Sequence, residues 1–322
     1  MSNDVVICLS ASSGYDRAAQ GVAGAGRKLA DELSGSLRAV VVGAADDQML
    51  ADVAEVADAV IVADQPELAD YQPESYLAAF EHICRQLEPA AVLLGSDTVG
   101  LELTPRLAAR LGGSPMSDGT GLSVADGTIR VSRSAYGGKA EAVYELKRSP
   151  AVVWVRARGF EPALPAGSEA VVEKTSVELP EATTRIVERH VEEQEGIPLD
   201  DAQLVVGGGR GLGAAEPFDD LRILATVMNA AVGASRSACD EGWVPPSYQI
   251  GQTGKKIAPE LYLAVAISGA AQHMLGVSDA KALCAINTDP DAPIFRSCHF
   301  GIVEDYRKVV PPLTERLREL KQ

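Results

Sequence analysis

Short runs of apolar residues, separated by longer stretches of helical spacing, organise the first half of the chain. VVICLS at 5–10, LRAVVVG at 37–43, AVIVAD at 59–64 and AAVLLGS at 90–96 read as strands. Val, Ile and Leu without polar alternation indicate strands buried on both faces, as in a parallel sheet covered by helices. Helical spacing occupies about 18–34, then YLAAFEHICRQL at 76–87 and LELTPRLAARLGG at 101–113, the last closed by a glycine stop. The rhythm then changes. Within 122–146, Asp126-Gly127 and Gly137-Gly138 each sit between alternating apolar residues. That is a hairpin pattern, since the favoured two-residue turns need positive φ at both central positions. An antiparallel extension is therefore predicted after the parallel sheet, and AVVWVRAR at 151–158 adds one more strand.

Residues 159–200 are rich in Pro, Glu and Thr and poorly periodic, which predicts an edge strand or two and an interdomain linker over about 160–200. A second α/β unit then begins. DAQLVVGGGRGLG at 201–213 is a strand running into a glycine loop, and helical spacing follows over 217–231. LYLAVAISG at 261–269 and ALCAIN at 282–287 are further buried strands, and RKVVPPLTERLRELKQ at 307–322 is a charged terminal helix. The expectation is an α/β protein of two domains, 1–195 and 196–322, with no internal repeat at a fixed period.

Composition narrows the function. With 46% hydrophobic residues the chain has enough apolar material for real cores. Its net charge of -16 argues against a nucleic-acid partner, which needs clustered Lys and Arg, and against an anionic membrane surface. The five cysteines form no CxxC pair, and none makes a metal spacing with the four histidines. No metal is expected, and the cysteines read as small buried hydrophobes in a reducing compartment. MSNDVVICLS lacks a basic leader region, and no apolar run reaches the length of a membrane span. The expected location is cytoplasmic, not membrane-embedded.

QIGQTGKKI at 249–257 has the look of a phosphate loop, but Gly251 and Gly254 are two residues apart and Lys256 stands where a magnesium-binding hydroxyl is needed. It does not suit a triphosphate. Gly209-Arg-Gly211-Leu-Gly-Ala214 satisfies G-x-G-x-x-A after a strand, yet no acid lies about 20 residues on, around Asn229 to Val232. Its glycines serve either a tight turn or a close backbone approach. Ser235 and Arg236 follow a short apolar run, Gln272 and His273 follow a strand and a Ser-Gly turn, and Asn287 ends another strand. Ligands of open α/β sheets gather at such strand ends. No catalytic triad or Cys-His arrangement is legible, and Arg236 fits a phosphate ligand, an ion-pair partner or a cation over an aromatic ring. The residues alone give a nucleotide-cofactor site in the C-terminal domain.

At these residues the second half closely resembles the electron transfer flavoprotein alpha subunit family. The resemblance runs through LVVGGGRGLG, through VGASRSACDEGWVPPSYQIGQTGKKIAPELYLAVAISGAAQHMLGVSDAKALCAINTDPDAPIF and through GIVEDYRKVVPPL. LELTPRLAARLGG and SRSAYGGKAEAVYEL extend it more loosely into the first half. It implies an N-terminal domain of adenine-nucleotide-hydrolase-like fold that is not the flavin site, and a C-terminal Rossmann-like FAD-binding domain. It also implies a heterodimer with a beta subunit, whose surface completes the FAD cleft. The activity implied is electron carriage from flavin dehydrogenases, such as acyl-CoA dehydrogenases, to a membrane quinone oxidoreductase, with no substrate-converting enzyme chemistry. A bifurcating, NADH-oxidising flavoprotein is the alternative within the family, and a nucleotide-dependent enzyme the alternative outside it.

The resemblance implies FAD contacts at Arg210, Ser235 and Arg236, and at Ile250, Gly251, Gln252 and Thr253. It implies others at Ser268, Gly269, Ala270, Ala271, Gln272 and His273, and at Asn287, Asp305 and Tyr306. By resemblance Thr253 lies near flavin N5, Arg236 over the ring and His273 near the N1/O2 edge, where a cation or donor would stabilise the charge that reduction creates. Ser268 to Gln272, expected to open a helix, suit a pyrophosphate, and Asn287 and Asp305 suit the hydroxyls and the adenosine end. Three positions depart from the family pattern: Ala266 for Gly, Thr288 for Lys and His299 for Asp. Ala266 is expected within a buried strand, and Thr288 and His299 near the nucleotide end.

Overall fold

The computed structural model describes residues 2–95, 97–136, 140–167, 169–181, 183–184, 186–188, 196–199 and 202–321. The chain forms two compact units, 1–189 and 190–322. The boundary expected at 195 lies outside the described residues.

In the first unit the elements follow in the order β1 (Val5–Ser10), α1 (Arg17–Leu33), β2 (Leu37–Val42), α2 (Asp47–Val56), β3 (Ala59–Ala63), α3 (Pro73–Leu87), β4 (Ala91–Leu94) and α4 (Thr98–Leu111). Then come β5 (Ser114–Gly119), β6 (Gly121–Ala125), β7 (Thr128–Ala135), β8 (Ala140–Leu146), β9 (Ala151–Val155) and β10 (Val171–Lys174). Seven strands form one parallel sheet in the order β10-β3-β2-β1-β4-β9-β5. Its central strands are buried on both faces: Val5, Ile7 and Leu9 of β1 enter one apolar cluster, and Val6 and Cys8 enter the other. β10 is the edge strand expected in the Pro/Glu-rich stretch.

The antiparallel strands make a separate three-stranded sheet, β6-β7-β8. Asp126 (φ 51°) and Gly127 (φ 70°) form its first turn, as the dipeptide requires. The Gly137-Gly138 turn lies outside the described residues. Two elements of this unit were not predicted. In α2 the Asp46 carboxylate accepts the Met49 N–H at 2.7 Å, and Met49, Val53, Ala54 and Val56 are buried. β5 reads SPMSDG, too polar for a core strand, and is held by pairing with β9.

In the second unit the order is β11 (Leu204–Gly208), α5 (Pro217–Met228), β12 (Ala231–Ser235), α6 (Arg236–Asp240), β13 (Gln249–Ile250), β14 (Leu261–Val265), α7 (Ala271–Met274), β15 (Ala282–Asn287), β16 (Phe300–Val303) and α8 (Tyr306–Leu320). The six strands are all parallel, in the order β13-β12-β11-β14-β15-β16. This is the 3-2-1-4-5-6 order of a dinucleotide-binding sheet, with its switch point between β11 and β14. Val206, Val265 and Ile286 enter the cluster under α5 and α8, while Val205, Ala264 and Ala285 enter the opposite one. The edge strand β16 was not predicted, and all four of its residues are exposed.

Among the described residues no helix is long and apolar enough to cross a membrane, and no three His, Cys, Asp or Glu side chains are grouped as metal ligands. Cys8 and Cys84 are buried, Cys239, Cys284 and Cys298 half-buried, and all five are free thiols.

Candidate functional site

The carboxyl ends of the parallel strands in the second unit bring polar groups from several connecting segments to one edge of the sheet. A cavity of about 830 Å³ opens there, within the size range of cofactor sites. Fourteen of the sixteen expected contact residues line it, all but Gly269 and Ala271. Gly269 has a structural task instead. At φ +83° it packs so close to Ile294 that a Cβ would fall 2.5 Å from backbone atoms. Ala271 is exposed outside the cavity wall.

The glycine loop after β11 is built for close approach. Gly209 donates its N–H to Val265 at 2.9 Å, and Gly211 donates to Ala266 at 3.2 Å. A Cβ on either glycine would come within 2.1 or 2.8 Å of the Ala266 carbonyl oxygen. Ala266 is not in the strand, as expected from sequence, but one residue past it, with φ 56°. That left-handed backbone costs an L-residue about 1–2 kcal/mol, which explains glycine as the family's usual choice.

The QIGQTGK segment is folded on itself and against α7. Gly251 N–H meets Lys255 O at 3.1 Å, Lys255 N–H meets Gln249 O at 2.8 Å, and Gln252 N–H meets Gln272 O at 2.8 Å. The Gln249 amide donates to the Thr253 hydroxyl at 2.9 Å. The Thr253 oxygen is thus an acceptor already, and its own O–H is left to donate elsewhere. α7 is a single turn of four residues, shorter than the helix the Ser-Gly turn suggested, so its end carries little dipole.

His273 is 7% exposed, with both ring nitrogens engaged inside the protein. Nδ1 lies 3.1 Å from the Ile250 carbonyl, and Nε2 lies 2.8 Å from the Tyr262 hydroxyl. Burial pushes its pKa down to about 4. Near neutral pH the ring is therefore uncharged, Nδ1–H donates to Ile250, and Tyr262 donates to Nε2. With both nitrogens so engaged, the ring presents a neutral edge to the cavity.

The other walls have distinct characters. Ser235 Oγ is buried with no partner. The Arg236 side chain is 66% exposed and pairs with Asp240 at 3.4 Å. The Asn287 amide donates to Ile267 O at 3.0 Å and accepts from Asp289 N–H at 3.0 Å, bracing two strand ends. Asp305 caps α8 through the Arg307 N–H at 2.9 Å, and the buried Tyr306 donates to Leu212 O at 3.1 Å. Thr288 lines the cavity as expected, but His299 does not. Its Nδ1 accepts the Leu283 N–H at 3.0 Å, just before β16 and so at the opposite end of the parallel strands. An aspartate there would accept the same N–H, so the departure is a local exchange remote from the cavity. Sequence reading missed Gln249, Glu304 and Arg307, which line the cavity, and Tyr262 behind His273. Gln249 lies within the quoted QIGQTGKKI, and Glu304 and Arg307 flank Asp305 and Tyr306 in the quoted GIVEDYRKVVPPL, so position alone pointed to these three.

Comparison with known proteins bears on what fills the site. A family model described as the electron transfer flavoprotein FAD-binding domain matches residues 198–278, and the electron transfer flavoprotein domain matches 9–180. Among similar proteins, the electron transfer flavoprotein subunit alpha of Thermoanaerobacterium thermosaccharolyticum is 36% identical over 93% of each chain. That of Bacillus subtilis is 39% identical over 82% of each. That of Megasphaera elsdenii is 38% identical over 92% of this chain and 91% of its own. The cavity fits such a cofactor on its own terms: it holds a buried, unpartnered Ser235 oxygen and a glycine cradle with no room for side chains.

Proposed function

The chain belongs to the electron transfer flavoprotein alpha-subunit family, and from that premise we propose that it is the FAD-holding half of a heterodimeric electron carrier. In this reading a beta subunit completes the cleft. The complex takes electrons from flavin dehydrogenases such as acyl-CoA dehydrogenases and delivers them to a membrane quinone oxidoreductase. We assign residues 196–322 as the FAD domain, 1–195 as a domain without flavin, and the cytoplasm as the location, where five free thiols suit a reducing compartment.

One observation carries the reading: the orphaned Ser235 Oγ in the wall of a cavity at the sheet's switch point. A buried hydroxyl without a partner is costly, and a bound polar group relieves that cost. FAD, once bound, supplies reversible one- and two-electron chemistry. The chain's own part is to bind and orient. Thr253 keeps a free O–H for a ring nitrogen, because Gln249 occupies its oxygen. Arg236, 66% exposed in the cavity lining, would offer a cation to the face of the flavin ring. Ser268, Ala270 and Gln272 border the pyrophosphate, Asn287 and Asp305 the hydroxyls and the adenosine end. Arg210, Ile250, Gly251, Gln252 and Tyr306 form the remaining walls. Gly269 and Ala271 are left out of the proposed contact set. His273 contributes a neutral ring edge.

Co-expression with the cognate beta chain tests the proposal. The expected product is a yellow heterodimer with one FAD that is reduced by an acyl-CoA dehydrogenase and its substrate. A colourless complex that does not take up FAD overturns the reading. Reduction by NADH with two flavins per heterodimer would replace it with the bifurcating one.

A further inference from the structure

Tyr262 is a buried phenol at the back of the cavity wall, in contact with His273 and not with the cavity itself. It projects from the middle of β14 and is 0% exposed. Its hydroxyl lies 2.8 Å from His273 Nε2, and the two rings are 5.9 Å apart at a 39° tilt. Space for the hydroxyl is made by Gly207 on the neighbouring strand, where a Cβ would fall 2.1 Å from the phenol oxygen. A Phe would fill the apolar part of this niche equally well. The polar atom therefore needs its own account.

The direction of the two hydrogen bonds follows from chemistry. The Ile250 carbonyl only accepts, so Nδ1 of His273 carries the proton. In a neutral imidazole Nε2 is then a bare lone pair, and Tyr262, held protonated by burial, donates to it. The chain Tyr262–His273–Ile250 joins β14 to α7 and α7 to the start of the QIGQTGK segment.

We propose that Tyr262 is a positioning residue for the flavin site: its hydroxyl occupies the Nε2 lone pair of His273, so the imidazole is held in one tautomer and one orientation, with Nδ1–H turned on Ile250. This rests on the flavin reading above only for its consequence, namely that the ring edge beside the cofactor keeps one fixed tautomer and orientation. The geometry of the lock belongs to the chain alone.

Tyr262 is the titratable group touching the ring. The charged side chains sharing the cavity are Arg210 and Arg236 on one side, and Asp289, Glu304, Asp305 and Arg307 on the other. Lys255 and Lys256 lie further along the same segment. Burial is the cause that disfavours the imidazolium, and the Ile250 carbonyl favours it. Removing the Tyr262 hydroxyl leaves Nε2 a buried acceptor with no donor, open to a proton.

The test uses full-length protein with 15N-histidine, read by ring 1H–15N correlation across pH 8 to 5, with and without FAD. His273→Gln assigns the signal. The wild type should show the Nδ1–H tautomer and no titration in this range. Tyr262→Phe should raise the His273 pKa by about one unit or more, the weight of one net hydrogen bond. A wild-type Nε2–H tautomer, an imidazolium at pH 7, or an unmoved Tyr262→Phe titration each overturns the proposal. The wild-type arm stands even where the variant folds poorly. A second readout is the flavin midpoint potential of the heterodimer, which in Tyr262→Phe should rise on acidification more steeply than in wild type. If the ring titrates as expected while the potential profile does not change, the lock stands and the placement of His273 beside the flavin falls.

Discussion

Replacing His273 with Gln should remove much of the acid sensitivity of the C-terminal unit. In the folded chain the imidazole titrates at about 4 instead of 6.5. The unfolded chain takes up this proton as pH falls through 6.5, whereas the folded chain resists until about 4. Over that window the unfolded state binds more protons, so stability rises with pH. The contribution is complete above the unfolded pKa and is lost progressively on the way down. At about 1.4 kcal/mol per unit, the gap is worth about 3 kcal/mol. Gln keeps a donor and an acceptor but cannot be protonated. It should cost about 1–2 kcal/mol at pH 7.5 through poorer hydrogen bonds. Its denaturant midpoint should then fall less steeply with acid, so that the wild-type advantage disappears or reverses near pH 4. Urea unfolding at half-unit pH steps, on both proteins without added FAD, makes the comparison. Curves that stay parallel from pH 7 to 4 would refute the buried neutral imidazole.

Other substitutions probe the remaining walls. Ser235→Ala should weaken FAD binding about fivefold, one net hydrogen bond, while leaving the cofactor-free chain as stable as before or more so. Equilibrium dialysis and thermal melts read the two halves, and unchanged affinity would remove Ser235 from the contact set. Ala266→Gly should stabilise by about 0.5–1 kcal/mol, since relief of the left-handed backbone exceeds glycine's added freedom in the unfolded chain. A loss of stability in urea would contradict that balance. Gly269→Ala should destabilise by about 2 kcal/mol or more through positive φ and overlap with Ile294, and a wild-type melting temperature would argue against this packing. Arg236→Ala should lower the flavin midpoint by about 20 mV for a two-electron couple, about 1 kcal/mol of cation–π attraction. An unshifted midpoint in the heterodimer would defeat its place over the ring.

The sheet strands were legible where burial on both faces writes an unbroken apolar run, as in β1, β2, β14 and β15. β5 and β16 escaped because an edge strand has no such obligation: SPMSDG and FGIV are defined by their neighbours' open hydrogen bonds. The candidate site was legible as a set of strand ends, since glycine turns and small polar residues concentrate there. Its wiring was not. Tyr262 reads as one more core residue in LYLAV, because a hydrogen bond across 11 residues leaves no local pattern. His299 and Thr288 looked alike as departures, and only the direction of the parallel strands separates the cavity end from the far one.

That wiring bears on how such a site works. Several polar groups around the cavity are already engaged within the chain: both nitrogens of His273, the amide of Asn287 and the oxygen of Thr253. Internal bracing fixes these groups before a cofactor arrives, which lowers the ordering cost of binding. Among the groups left to direct the cofactor are the Ser235 oxygen and the Thr253 proton. In the carrier proposed above, a fixed cofactor with an open mouth would serve electron exchange better than a deep, closed pocket. The neutral His273 follows the same logic: a charge that changed with pH at that wall would shift the driving force for every electron passed.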